Sequence, residues 1–202
     1  MGTLRNFNLN NFIETYNIEF LVETGTYYGD GVDYANSFNF KHIYSFEIYE
    51  PIFNAAKDRF KNNNNITILN KNSSTHLKDI DKDIQKNTLF FLDAHFPGSD
   101  AGLETYVNQK DKNTNLPLKS ELEYILTRSN FHDVIIIDDM RLFVDDPQIQ
   151  SSSLHDHLKS LGTNYHRSDL VHFDIFEELD KFTNYNINFD YNHEGYIILT
   201  HK

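Results

Sequence analysis

The sequence predicts an α/β fold built on a doubly wound, mostly parallel sheet, and three observations carry that prediction. Short apolar runs at 20–22, 89–92 and 134–137 are each closed by an acid, Glu23, Asp93 and Asp138. Helical patterns fall between such runs, which is the signature of βαβ units. Two further strand-like segments at the end of the chain read as an antiparallel hairpin closing the sheet edge.

Each element has its own reason. The three apolar runs do not alternate with polar residues, as expected of strands covered on both faces. Weaker strands are expected at 42–47 and 66–70. Helices are expected at 31–38, at 50–62 with Pro51 suited to a helix start, and at 118–129. Residues 173–182 read as a helix, and 185–191 and 195–201 as the hairpin strands joined by Asn192-His193-Glu194. The polar stretches 97–116 and 145–153 read as loops beyond acidic strand ends. There they are equally lids over a ligand crevice or plain surface loops.

Bulk properties limit the classes of function. With 202 residues and 39% hydrophobic content, one domain spanning 1–202 is expected. The net charge of −12, with no basic stretch, disfavours binding to polyphosphate backbones. Absence of cysteine excludes disulfides and thiolate metal sites. Residues 1–11 lack a signal-peptide core and no run is long enough to span a membrane, so a cytoplasmic protein is expected.

The first strand runs into Glu23-Thr24-Gly25-Thr26-Tyr27-Tyr28-Gly29-Asp30-Gly31. Glycines there permit a tight turn and close approach of a ligand. Their spacing, G-x-x-x-G-x-G, is not the G-x-G-x-x-G of a dinucleotide site. A carboxylate at the strand end would repel a pyrophosphate and suits a ligand with a cationic amino-acid end. Glu47, at the end of the second strand, stands where an acid accepts hydrogen bonds from ribose hydroxyls. Asp93-Ala94-His95 ends the fourth strand and Asp138-Asp139 the fifth. On adjacent parallel strands these acids converge on one rim, where a cation such as Mg²⁺ would relieve their repulsion.

These motifs resemble class I S-adenosylmethionine-dependent methyltransferases. Glu23-Thr24-Gly25-Thr26 with Gly29 is similar to the first motif of that superfamily, and Ser45-Phe46-Glu47, followed by Ile48, to the second. Lys71-Asn72-Ser73-Ser74 lies where the family places an acid and small polar residues around the adenine, with Asn72 where Asp is usual. The resemblance implies a seven-stranded sheet of order 3-2-1-4-5-7-6 with an antiparallel seventh strand. It also implies a cofactor site at Glu23, Thr24, Gly25, Thr26, Gly29, Glu47, Ile48, Asn72, Ser73 and Asp93. The strand-end acids are similar to those of Mg²⁺-dependent sugar O-methyltransferases of the macrocin O-methyltransferase type. By position, that subgroup implies a metal on Asp93, Asp138 and Asp139, with His95 and Asp93 catalytic and His95 the general base.

The chemistry agrees with this. A sugar hydroxyl is a poor nucleophile at neutral pH; a bound cation lowers its pKa and a nearby imidazole takes its proton. The expected function is therefore a metal-assisted O-methyltransferase acting on a sugar or glycoconjugate, with no nucleic-acid or membrane partner and with homo-oligomers allowed. Two alternatives stand beside it. One is an NAD(P) oxidoreductase or epimerase, which the glycine spacing opposes. The other is a non-catalytic nucleotide-binding module, which the intact set of strand-end groups opposes. Among other polar residues, Glu121 and Glu123 read as a solvated helix face, with one of them able to face the site, and Arg141 as an ion-pair partner of an acid or a contact for an anionic substrate group. Tyr27 and Tyr28 read as core or cofactor packing, and His155 and His157 as solvated.

Overall fold

The computed structural model describes residues 3–99, 101–102, 111–150, 156, 159 and 167–202. Seven strands form one sheet: β1 (Phe20–Thr24), β2 (His42–Phe46), β3 (Ile66–Leu69), β4 (Thr88–Leu92), β5 (Val134–Ile137), β6 (Tyr185–Asp190) and β7 (Tyr196–His201). Their order is β3-β2-β1-β4-β5-β7-β6, the order the resemblance implied. β1 to β5 are parallel, and β7 runs antiparallel to both β5 and β6.

The helices are α1 (Leu9–Tyr16), α2 (Asp30–Ala35), α3 (Glu50–Arg59), α4 (Ser73–His76), α5 (Lys112–Asn115), α6 (Leu118–Leu126), α7 (Arg167–Leu170) and α8 (Ile175–Leu179). Four of these, α1, α4, α5 and α7, the sequence reading did not anticipate. α1 carries Leu9, Phe12, Ile13 and Tyr16 at helical spacing, capped by the Asn8 side chain and ended by Asn17 in the left-handed region. α4 and α5 are single turns, too short for a hydrophobic period, and each starts on an Asx cap: Asn72 and Asp111. α5 falls inside the stretch read as a loop.

Strand alternation divides the core in two. Phe20, Val22, Phe90, Leu92, Ile135 and Ile137 pack on the side of α6 and α8. Leu21, Leu89, Phe91, Val134 and Ile136 pack on the side of α1 and α2. β1 is hydrogen-bonded to β2 on one flank and to β4 on the other, so the chain direction across the sheet reverses there. Such a reversal opens a crevice beyond the carboxyl ends of the strands. The register pairs Thr24 with Phe46 and Leu92, and Leu92 with Ile137. The next residues along each strand, Gly25, Glu47, Asp93 and Asp138, therefore stand in one row at that crevice.

Candidate functional site

A cavity of about 380 Å³ occupies the crevice, within the range of small-molecule sites. Its floor comes from the loops after the parallel strands: Gly25 and Tyr27, Glu47 and Ile48, Asn72 and Ser73, Asp93 and His95, Asp139 and Arg141. Glu194, in the turn between β6 and β7, supplies part of the wall.

Gly25 is required by geometry. Its φ is +83°, and a Cβ there would lie 2.5 Å from the Asp93 carbonyl oxygen. Gly29, at φ +87°, caps α2 and leaves no room for a Cβ against the Phe60 ring. Three non-glycine residues of the cavity also sit in the left-handed region: Tyr27 (φ +50°), Phe96 (+39°) and Asp139 (+52°). Such conformations cost energy, and they persist where the surroundings fix them. Here the Tyr27 N–H donates to Glu47 Oε2 at 2.9 Å and the Phe96 N–H to the Asn115 carbonyl at 2.7 Å.

The cavity has two chemically distinct ends. At one, Glu47 accepts N–H bonds from Tyr27 and, at 2.8 Å, from Tyr49. Burial raises its pKa, and those N–H groups pull it part of the way back. At the other end His95 Nε2 lies 2.7 Å from Asp139 Oδ2 and 3.5 Å from Asp93 Oδ1. Ligating atoms of Asp93, His95 and Asp139 all lie within 4.8 Å of one another, so this trio fits a metal ion. Arg141 Nε donates to Asp139 Oδ1 at 3.0 Å. Burial pushes the Asp139 carboxyl up, but His95 and Arg141 more than offset it and hold it below the usual range.

Several of the anticipated residues lie behind the cavity rather than on its surface. Glu23, Thr24, Thr26, Gly29 and Asp138 do not line it. Strand alternation explains Glu23: it points to the α2 side, against Gly31, and accepts the Ser45 hydroxyl at 2.5 Å. Ser45 is also bonded to Thr26 Oγ1 at 2.6 Å. Burial pushes Glu23 up to about 8, with Ser45 opposing and Asp93 and Glu47 adding to the rise. Its bond to Ser45, and that of Ser45 to Thr26, tie the ends of β1 and β2 beneath the glycine loop. Asp138 continues the strand, its N–H donating to Leu92, and its Oδ1 accepts the Asp139 N–H at 2.7 Å. It is not one of the three grouped side chains, though it lines a small neighbouring cavity with Asp93 and His95, and burial and its acidic neighbours raise its pKa well above the usual range.

Other polar residues fall as follows. Arg141 is ion-paired as anticipated, and it also lines the cavity. Tyr27 lines the cavity while Tyr28 is exposed. Glu123 is solvated, but Glu121 is buried, which corrects the reading of that helix face. Its carboxyl lies near Ser73 and Thr24 without a well-formed hydrogen bond, and burial pushes it up to about 7. Glu194 carried no sequence signal, because a hairpin turn is read as a connector. Two bonds place it: Arg141 N–H to the Glu194 carbonyl at 3.1 Å and Met140 N–H to the Gly195 carbonyl at 2.9 Å. His155 and His157 lie outside the described residues.

No protein-family model matches the chain, and no curated protein matches it by sequence. Solved structures match by shape. An O-methyltransferase from Bacillus cereus in complex with SAH superposes with a TM-score of 0.64 at 14% identity, covering 100% of this chain and 82% of that one. The SAH-bound Podospora anserina methyltransferase PaMTH1 gives 0.60 at 15% identity, covering 91% and 72%. The 23S rRNA methyltransferase ErmE gives 0.51 at 9% identity, covering 100% and 69%. The chain thus has the Rossmann-like α/β fold of these methyltransferases. Among the described residues, no helix is long and apolar enough to cross a membrane.

Proposed function

We propose that the chain is an S-adenosylmethionine-dependent O-methyltransferase, metal-assisted, acting in the cytoplasm on a hydroxyl of a sugar or glycoconjugate. The observation that carries this reading is the pairing of His95 with Asp139 and Asp93 at one end of a cavity whose other end holds Glu47 beside the glycine loop. The residues fit the cofactor. Gly25 keeps the space beside the Asp93 backbone open, Glu47 offers carboxylate lone pairs to ribose hydroxyls, and Ile48 and Ile52 supply apolar wall. When bound, S-adenosylmethionine supplies an electrophilic sulfonium methyl. A divalent cation would fit the carboxylates of Asp93 and Asp139 beside His95, and when bound it would lower the pKa of an acceptor hydroxyl while leaving the imidazole free to take the proton.

The chain's own residues account for the proton and the geometry. An acceptor hydroxyl placed at this end of the cavity would give its proton to His95 Nε2, with Asp139 orienting the imidazole. Nε2 lies between two carboxylates, so an imidazolium formed there is stabilised at once. Arg141 holds the other oxygen of Asp139 and fixes its orientation. The net charge of −12 supports a neutral acceptor over a polyanionic one. Transfer of labelled methyl from S-adenosylmethionine to a panel of polyols and glycosides, with and without EDTA, tests the proposal. Methylated product that disappears on chelation is expected. Product formed equally in EDTA removes the metal, and methylation of RNA alone removes the sugar acceptor.

A further inference from the structure

Asn72 is fully engaged within the protein. Its Oδ1 accepts the Ser74 N–H at 3.0 Å and the Ser74 hydroxyl at 2.7 Å, which caps α4. Its Nδ2 donates to Thr114 Oγ1 at 2.9 Å, and Thr114 in turn donates to Asp111 Oδ2 at 2.9 Å. The chain of bonds is directional, because Thr114 has one proton and gives it to a carboxylate. It can therefore only accept from residue 72. An amide supplies that donor and an ionised acid does not.

The bonds lie at the cavity wall. Asn72 and Thr114 both line the cavity, one on the β3 side and the other on α5. The next residue of α5, Asn115, accepts the N–H of Phe96, the residue after His95. The single turn of α5 is thus a strap joined to Asn72 and to the segment after His95, and Asn72 is its fastening on the β3 side.

We propose that Asn72 is a positioning residue that latches α5 at the wall of the cofactor cavity, so that the residence time of the cofactor is set by the Asn72–Thr114–Asp111 chain rather than by a contact from residue 72 to the nucleobase. The proposal rests on the cofactor assignment above. It gives the opposite sign from a nucleobase contact: an acid at 72 would serve an amino group of the base at least as well as Asn, but it breaks the latch.

The test is S-adenosylhomocysteine binding to the whole chain, with dissociation followed by stopped flow. Asn72→Asp keeps the α4 cap, since its carboxylate accepts from Ser74 as the amide does, so its melting temperature serves as the folding control. It should release ligand about 5- to 10-fold faster than wild type, the scale of one net hydrogen bond. Thr114→Val should do the same, the double variant should be no worse than either alone, and Thr114→Ser should restore wild-type behaviour. Equal or tighter binding by Asn72→Asp, or unchanged dissociation in Thr114→Val, overturns the latch. Hydrogen exchange of the cofactor-free protein reads the latch independently. The Phe96 and Leu116 amides should exchange faster in Asn72→Asp, and unchanged protection counts against it. If wild type shows no affinity for S-adenosylhomocysteine, the cofactor assignment fails while exchange still decides the latch.

Discussion

Two carboxyl groups at the same edge of the sheet are held in opposite states, and the contrast separates support from chemistry. Glu23, at the end of β1, has one hydroxyl for company and is pushed up to about 8 by burial. Asp139, just past β5, is as deeply buried, yet it faces an imidazole and a guanidinium and stays below the usual carboxylate range. Burial is common to both; the neighbours decide the charge. A neutral acid beneath the glycine loop is a hydrogen-bonded spacer. A charged one beside His95 is equipped to stabilise a proton in transit.

Breaking the charged side should have the largest effect. His95→Ala should lower methyl transfer by about 10²- to 10⁴-fold, the usual worth of general acid–base catalysis. Affinity for S-adenosylhomocysteine, measured by calorimetry, should stay within about 2-fold. A matching loss of affinity would make His95 a structural residue. Asp139→Asn should reduce turnover by about 10²-fold through loss of the imidazolium partner, read as a fall in kcat with little change in cofactor affinity.

The glycine-loop side should respond in stability and binding. Gly25→Ala places a Cβ against the Asp93 carbonyl at a left-handed φ. It should cost about 1–3 kcal/mol, or roughly 2–10 °C in melting temperature, together with cofactor affinity. Glu23 gives a pH test with a definite sign. The folded state keeps its proton to about 8, while the unfolded chain releases it near 4.5. Glu23's contribution to stability should therefore be full below about 4.5 and decline as pH rises through the window to about 8. Glu121, raised to about 7, adds to the same decline. Glu23→Gln keeps an acceptor for Ser45 and should flatten much of the slope in denaturant melts. A wild-type profile that rises relative to that of Glu23→Gln across this window would contradict the assignment. The smallest effect belongs to the surface: Arg59 bonds the Tyr28 carbonyl, Asp30 and Asp33 around the loop. Arg59→Met should cost only about 1 kcal/mol or less, because these pairs are partly exposed.

The same comparison marks how far the sequence was legible. The strands and the row of strand-end acids followed from apolar runs closed by Glu23, Asp93 and Asp138, since a parallel sheet leaves little choice of where such runs lie. Glu47, Asp93 and Asp139 were anticipated and line the cavity; that Glu23 and Asp138 do not was not legible. Glu23 turns away by strand alternation. Asp139 turns in because the backbone takes a left-handed step that neither residue of the Asp138-Asp139 pair announces. Glu121 was read as solvated and Glu194 was missed because their positions depend on packing between distant segments. Asn72 was legible only as a departure from a pattern, and the partner that explains it, Thr114, lies 42 residues away in a stretch with no periodic signal.

Calorimetric titration of S-adenosylhomocysteine and of NAD into the wild-type chain and into Gly25→Val tests the central assignment most directly. Micromolar binding of S-adenosylhomocysteine to wild type, lost in the variant and absent for NAD, is the predicted result. Binding of NAD instead, or undiminished binding of S-adenosylhomocysteine once the Gly25 cradle is filled, would contradict it.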